Sequence, residues 1–131
     1  MRRRETGGER YFALRTFGVG GRGRVTPVWL AAGSDGRHYL LTPERSHKMR
    51  RLRRDPRVQV APSDFDGTAR GEWRRGRAQE VDGAERTEGL SLLAARYGLS
   101  FRWFRLLLAL GRPRSAGGRA VVVRLDLDAA P

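Results

Sequence analysis

The chain has 131 residues with 27 basic side chains against 14 acidic ones, a formal net charge of +13. Cysteine is absent and histidine occurs twice, which excludes disulfides, thiolate nucleophiles and cysteine-based zinc sites. A hydrophobic fraction of 39%, with three Trp, three Tyr and five Phe, is too rich for a wholly disordered basic tail and predicts one modest core.

Residues 1–9 read as a disordered basic leader, with no apolar stretch behind the charged start and so no secretory signal. Residues 10–131 read as a single domain. Period-two alternation sets in at Arg10 and runs from Tyr11 to Phe17, and the glycine-rich run Gly18 to Gly23 turns the chain. A second strand is predicted from Arg24 to Ala32; Pro27 within it cannot donate to a ladder and belongs at an edge or bulge. Ser34-Asp35-Gly36 is a tight-turn signal, and Arg37 to Thr42 returns as the hairpin partner.

The period then changes. Ser46 caps a short helix with Met49 and Leu52 on its apolar face, ending at Asp55 because Pro56 disfavours helical geometry before it. Arg57 to Pro62 is strand, Asp64 to Gly67 a turn, and Thr68 to Val81 a long return strand in which Gly71 and Gly76 predict bulges or close backbone approach. Asp82 opens a second helix with Glu85 placed as its capping-box partner; Leu90, Leu93, Ala94 and Tyr97 form its buried face, and Gly98 stops it. A further helix follows from Phe101 to Leu110, then a basic loop from Arg112 to Gly118. The closing strand, Ala120 to Leu127, sets Val121, Val123, Leu125 and Leu127 against Arg124 and Asp126. Three strands, a helix, two strands, helices and a strand predict a mainly β (α+β) fold: a six-stranded antiparallel barrel with two or three short helices.

No segment approaches the roughly 18 apolar residues of a membrane span, so a soluble, cytoplasmic protein is expected. The charge calls for an anionic partner: nucleic acid, acidic lipid or a phosphorylated cofactor. From Arg45 to Arg57 there are seven Lys or Arg and one acid, yet no recognition-helix pair, zinc-finger spacing or aromatic RNA-binding signature accompanies them. Nucleic acid is therefore not the expected partner. A phosphate is the better fit: the end of a strand at Thr42 and a helix start at Ser46 bring two hydroxyls, free amides and Lys48 to one place. The alternative is an ordinary Ser cap on a solvated basic helix. No serine carries a nucleophile-elbow pattern. His38, Tyr39 and Tyr97 could donate a proton, and each is better explained by packing or surface placement. Asp35, Asp66 and Asp82 sit where turns and caps account for them. The apolar Phe101–Leu110 segment either lies on a membrane surface beside Arg102, Arg105, Arg112 and Arg114 or covers the barrel end, the dimer seam or the substrate mouth; packing is the preferred reading.

Several stretches also carry a resemblance. Thr26-Pro27-Val28-Trp29, Tyr39-Leu40-Leu41-Thr42 and the run Ser46-His47-Lys48-Met49-Arg50-Arg51-Leu52-Arg53-Arg54-Asp55-Pro56-Arg57-Val58 come in this order. Gly71-Glu72-Trp73, Gly76-Arg77-Ala78, Tyr97-Gly98-Leu99 and the terminal Val-rich strand follow. Together, from Arg10 to Leu127, they resemble the pyridoxamine 5'-phosphate oxidase-like superfamily, and within it the small actinobacterial coenzyme F420-dependent oxidoreductases. The resemblance implies an FMN-binding-type split β-barrel homodimer, with the cofactor in a groove between subunits and hydride passed to a small organic substrate. Thr42, Ser46, His47 and Lys48 resemble the phosphate-holding residues, with Arg53 a further cofactor-binding position. Thr26, Pro27, Val28 and Trp29 resemble the strand against which the tricyclic ring lies. His47 departs from the glycine or arginine expected there. Coenzyme F420 suits the positive charge better than FMN, because its phosphate and poly-glutamyl tail are more anionic. The alternatives are an FMN- or haem-type carrier on the same barrel without catalysis, and an arginine-rich nucleic-acid-binding module.

Overall fold

A computed structural model gives the fold, and it describes residues 11–110 and 119–128, with the side chains of 107–110 left aside. The predicted leader at 1–9 and the basic loop at 112–118 lie outside those residues. The elements run in the order β1 (Tyr11–Phe17), β2 (Gly23–Val28), β3 (Ala31–Ala32), β4 (Arg37–Pro43), α1 (His47–Arg54), β5 (Arg57–Ser63), β6 (Arg74–Val81), α2 (Gly83–Tyr97), α3 (Leu99–Leu110) and β7 (Ala120–Leu127), with a 3-10 turn at Val19–Gly21. All neighbours are antiparallel, in the spatial order β2-β1-β5-β6-β7-β4-β3.

The sheet therefore has seven strands rather than the six predicted. The stretch Arg24 to Ala32 is not one strand: it breaks at Trp29-Leu30, so that β2 pairs with β1 while β3 pairs with β4 at the opposite edge. Three residue steps separate Val28 from Ala31, on the order of 10 Å of chain, so the two edges must approach each other. That short crossing curls the sheet into a half-barrel. Tyr97, at the end of α2, pins it: its hydroxyl donates to the Leu30 carbonyl at 2.9 Å and accepts from the Leu30 N–H at 3.1 Å. Leu30 is buried, and unpaired backbone groups there would cost about 1–3 kcal/mol each.

The curl encloses one core and leaves a second on the outer face. Phe12, Leu14, Leu40, Val60 and Val123 fill the inside, with Met49 and Leu52 of α1 as a plug. Outside, Tyr39, Leu41 and Val122 pack against Leu90, Leu93 and Tyr97 of α2 and Phe101 of α3. Strand β7 is thus apolar on both faces over Val121–Val123, not on one face as its alternation suggested, because helices cover the other side.

Pro27 lies on an edge strand, as a residue without an N–H must. The turn before β4 takes positive φ at both Asp35 (58°) and Gly36 (77°), the backbone of a two-residue hairpin. Strand β6 begins at Arg74, not Thr68: residues 68–73 contribute one bridge, Ala69 to Ser63, beside Pro62, which offers no ladder N–H. The close approach expected at Gly76 is present, since a Cβ there would stand 2.5 Å from the Asp126 carbonyl oxygen. Helix α3 starts two residues earlier than predicted, at Leu99.

One expectation at α2 fails. Asp82 accepts from the next N–H, Gly83, at 2.9 Å, and Glu85 does not close a capping box. Its carboxylate instead accepts from the Tyr39 hydroxyl at 2.8 Å and from Arg124 at 3.0 and 3.1 Å. A buried phenol and a half-buried guanidinium on adjacent strands offer stronger donors than an exposed cap amide.

Candidate functional site

Strand β4 alternates its side chains between the two cores, with Leu40 inward and Tyr39 and Leu41 outward. Its last turns deliver Thr42 to the rim, and Pro43, which continues no helix, leads into the Ser46 cap. The Ser46 hydroxyl accepts from the Met49 N–H at 3.3 Å and lies 3.3 Å from the Thr42 hydroxyl. Lys48 folds back from the first turn of α1 and donates to Thr42 Oγ1 at 3.2 Å. Two hydroxyls, one ammonium and a helix N-terminus converge on one point.

Lys48 is largely buried, and that burial, together with the charge of Arg51, pulls its pKa below the ordinary lysine value. Among the described residues no carboxylate pairs with it. Arg51 itself is held by a 2.6 Å hydrogen bond to the buried Thr16 hydroxyl, so a second fixed cation stands nearby. A desolvated ammonium without a counter-ion is costly, and an incoming anion would relieve that cost.

Lys48 and Thr42 line a cleft of about 430 Å³ whose other walls are Pro27, Val28, Trp29, Leu41, Pro43 and the aromatic rings of Tyr11, Phe65, Phe101 and Phe104, with Leu93 behind. Trp29 stacks on Tyr97 at 4.6 Å and 9° between planes, with Phe104 at 5.4 Å and Tyr11 at 6.4 Å. The break between β2 and β3 thus swings an indole into the cleft wall and locks it there. Beyond the Thr42–Ser46 hydroxyl pair lies a shallow basin of about 390 Å³, lined by Glu44, Arg45, Ser46, Arg50, Arg53 and Arg54.

Of the residues predicted to hold a cofactor, the structure gathers Pro27, Val28, Trp29, Thr42 and Lys48 around the cleft, with Ser46 bonded to Thr42 from the basin side. Three lie apart. Thr26 precedes the wall; its buried hydroxyl has no hydrogen-bond partner among the described residues. His47 is exposed and lines neither space. Arg53 lies in the basin, donating to the Glu44 carbonyl at 3.1 Å and to Glu80 at 3.0 Å. Sequence reasoning did not single out Tyr11 or Phe65, and it offered Phe104 only as part of the apolar helix that could cover the barrel end, the dimer seam or the substrate mouth. An aromatic at the tip of a polar turn, Phe65 within Asp64 to Gly67, is the signal that could have been used; it is 73% exposed.

The candidate proton donors are all engaged elsewhere. Tyr39 is bonded to Glu85, and burial with that carboxylate pushes its pKa up to about 12. Tyr97 is spent on Leu30. His38 is buried, its Nδ1 3.2 Å from the Gly36 carbonyl oxygen, and burial lowers its pKa. None of the three lines the cleft.

A flat aromatic group with an attached phosphate fits this arrangement. The cleft offers stacking and apolar walls for a ring system, with the Lys48 ammonium and the Thr42 hydroxyl as polar groups on its rim and no carboxylate paired with that ammonium among the described residues. A curled antiparallel half-barrel with such a cleft at its open edge defines the split-barrel class.

Comparison with known proteins agrees on the architecture. No family model matches the chain, and no curated protein matches it by sequence. Solved structures do. HutZ, the heme storage protein of Vibrio cholerae, superposes with a TM-score of 0.67 at 16% identity, over 95% of this chain and 86% of its own. A FAD-binding protein of Mesorhizobium loti gives 0.62 at 19% identity, over 94% and 82% of the two chains. A Listeria innocua protein named as a candidate pyridoxamine 5'-phosphate oxidase gives 0.60 at 15% identity, over 95% and 88%. The neighbours are split-barrel proteins of the pyridoxamine-oxidase-like kind, and at these identities the likeness is one of fold. None of the three is named for coenzyme F420.

Proposed function

We propose that this chain binds a flavin-type cofactor, with the ring in the aromatic cleft and the phosphate at Thr42, Ser46 and Lys48, and that it serves as an oxidoreductase on a small organic substrate. The observation that carries the reading is Lys48: a largely buried ammonium that donates to the Thr42 hydroxyl, itself 3.3 Å from that of Ser46, with no acid paired to it among the described residues. The fold shared with a FAD-binding protein and with a protein named for pyridoxamine 5'-phosphate oxidase supports the same class of ligand.

Within that class the deazaflavin coenzyme F420 is the finer proposal. Its anionic tail would run from the phosphate point across the Thr42–Ser46 hydroxyls into the basin of Arg45, Arg50, Arg53 and Arg54. FMN would leave that basin unused. When bound, the cofactor supplies hydride transfer. The chain's own residues would orient it: Trp29, fixed by Tyr97, sets the plane of the ring, Pro27 and Val28 back it, and Phe65, Phe101 and Phe104 keep water from the reacting face. No protein side chain is assigned as an acid or base. The cleft is open on one side, where a second copy of the chain would complete a groove; size-exclusion chromatography with light scattering checks for the dimer.

A haem carrier is the weaker reading, because neither histidine lines the cleft: His38 is turned into the protein and His47 lies on the exposed start of α1. The test is fluorescence and absorbance titration with coenzyme F420, FMN and haemin. Saturable F420 binding that weakens in Lys48→Ala supports the proposal. FMN binding alone would restrict it to the flavin class, and haemin alone would overturn it.

A further inference from the structure

Helix α3 has two apolar faces. Phe101 and Phe104 turn inward to the outer core and the cleft. On the opposite side Leu99, Trp103 and Leu106, at helical spacing, are 74%, 63% and 46% exposed. Arg102 and Arg105 are also exposed and form no ion pair among the described residues. The sequence around them is one-sided in charge: from Gly89 to Leu125 there is no Asp or Glu, while Arg96, Arg102, Arg105, Arg112, Arg114, Arg119 and Arg124 fall within that span.

We infer that this face of α3 docks on the surface of an anionic lipid bilayer, with Leu99, Trp103 and Leu106 in the headgroup–acyl boundary and Arg102 and Arg105 on lipid phosphates. Charge decides the occupant. A two-fold contact with a second copy would set the same arginines of both chains against each other, with no acid in the segment to neutralise them. Anionic headgroups pair with them instead. Trp suits the interface because its ring is apolar and its N–H reaches the polar layer. No described helix is long and apolar enough to cross a membrane, and α3, at about 1.5 Å per residue, is a helix that lies flat.

Co-sedimentation of the full chain with vesicles tests this, using phosphatidylcholine alone and phosphatidylcholine mixed with phosphatidylglycerol. The chain is expected to pellet with the mixed vesicles, to stay in solution with the neutral ones, and to be released by salt. Trp103→Ser should lower partitioning about tenfold, and Arg102→Gln with Arg105→Gln about fivefold per arginine. Far-UV circular dichroism should stay unchanged in both variants; should Trp103→Ser fail to fold, Leu106→Ser on the same exposed face takes its place, with the same loss expected and undiminished binding again overturning the inference. Failure to pellet with anionic vesicles would overturn the inference. So would undiminished binding by folded Trp103→Ser, which would mean adsorption by charge alone. A dimer that Trp103→Ser converts to monomer, with vesicles ignored by both proteins, would assign the face to a second copy and also overturn it.

Discussion

Tyr39 and Thr42 stand three residues apart on β4 and face opposite sides of one strand, each with a hydroxyl beside a charged group. On the outer face, Tyr39, Glu85 and Arg124 satisfy one another: the phenol donates to the carboxylate, the guanidinium pairs with the same carboxylate, and Arg124 Nε adds Asp126 at 3.0 Å. On the inner face, Thr42, Ser46 and Lys48 hold a cation and no anion. The first set is closed and ties α2 to the sheet. The second is open: a cation with no carboxylate paired to it among the described residues, which is the imbalance on which the proposed phosphate position rests. Hydroxyls and charges in a half-buried place do not by themselves mark a site; an imbalance among them does.

The comparison breaks most visibly at Lys48. Lys48→Met is expected to weaken cofactor binding by about 1.5–3 kcal/mol, roughly 10- to 150-fold, through loss of a charged hydrogen bond. The same change should raise the Tm of the ligand-free protein, because an apolar side chain of similar volume replaces a desolvated charge. Titration and thermal unfolding together check both halves; a fall in Tm would mean that the lysine already has its partner.

The outer set should behave in reverse. Tyr39→Phe is expected to cost about 1–2 kcal/mol of stability by denaturant titration and to leave cofactor affinity unchanged. Its pH signature follows from the raised phenol pKa: the stabilisation is full below the ordinary 10.0 and is lost as pH rises toward about 12, so Tyr39→Phe should flatten that alkaline limb. Glu85 has the opposite sign. The Tyr39 hydrogen bond and then Arg124 hold its carboxyl below the usual range, so its contribution is present above the unfolded carboxylate pKa and fades as pH falls through the folded value. Glu85→Gln should remove part of the acid-side loss between roughly pH 4.5 and the folded pKa.

Ser46→Ala sharpens the comparison with the smallest effect, because Ser46 belongs to both functions. Loss of the cap is expected to cost about 1 kcal/mol of stability. Binding should fall only a few-fold, since Thr42 and Lys48 remain.

Much of the inner site was legible in the sequence because it is local. Thr42, Ser46 and Lys48 lie within seven residues, and a strand end followed by a capped helix start can face them in few ways. Trp29 was singled out for the cleft only by resemblance. Its real anchoring comes from Tyr97, 68 positions on, and such a pairing leaves no periodic trace. The same distance hid the break in the strand at Trp29-Leu30, whose residues favour extended backbone and give no turn signal. Glu85 misled for the opposite reason: its spacing from Asp82 satisfied a local rule, and tertiary donors on β4 and β7 outcompeted it. Phe65 went unnoticed, and Phe104 was placed only as part of an apolar covering helix, because a turn and a helix far apart in sequence meet at the cleft only in three dimensions.

Lys48 is the single lysine among 27 basic residues, every other one being arginine. Reductive methylation with isotopically enriched formaldehyde would therefore place labels at the chain's amino terminus and at one side chain only. A carbon-detected NMR spectrum of that sample would hold one lysine resonance. Its position would respond to whatever occupies the cleft beside Lys48, with no mutation and no need for a coloured ligand.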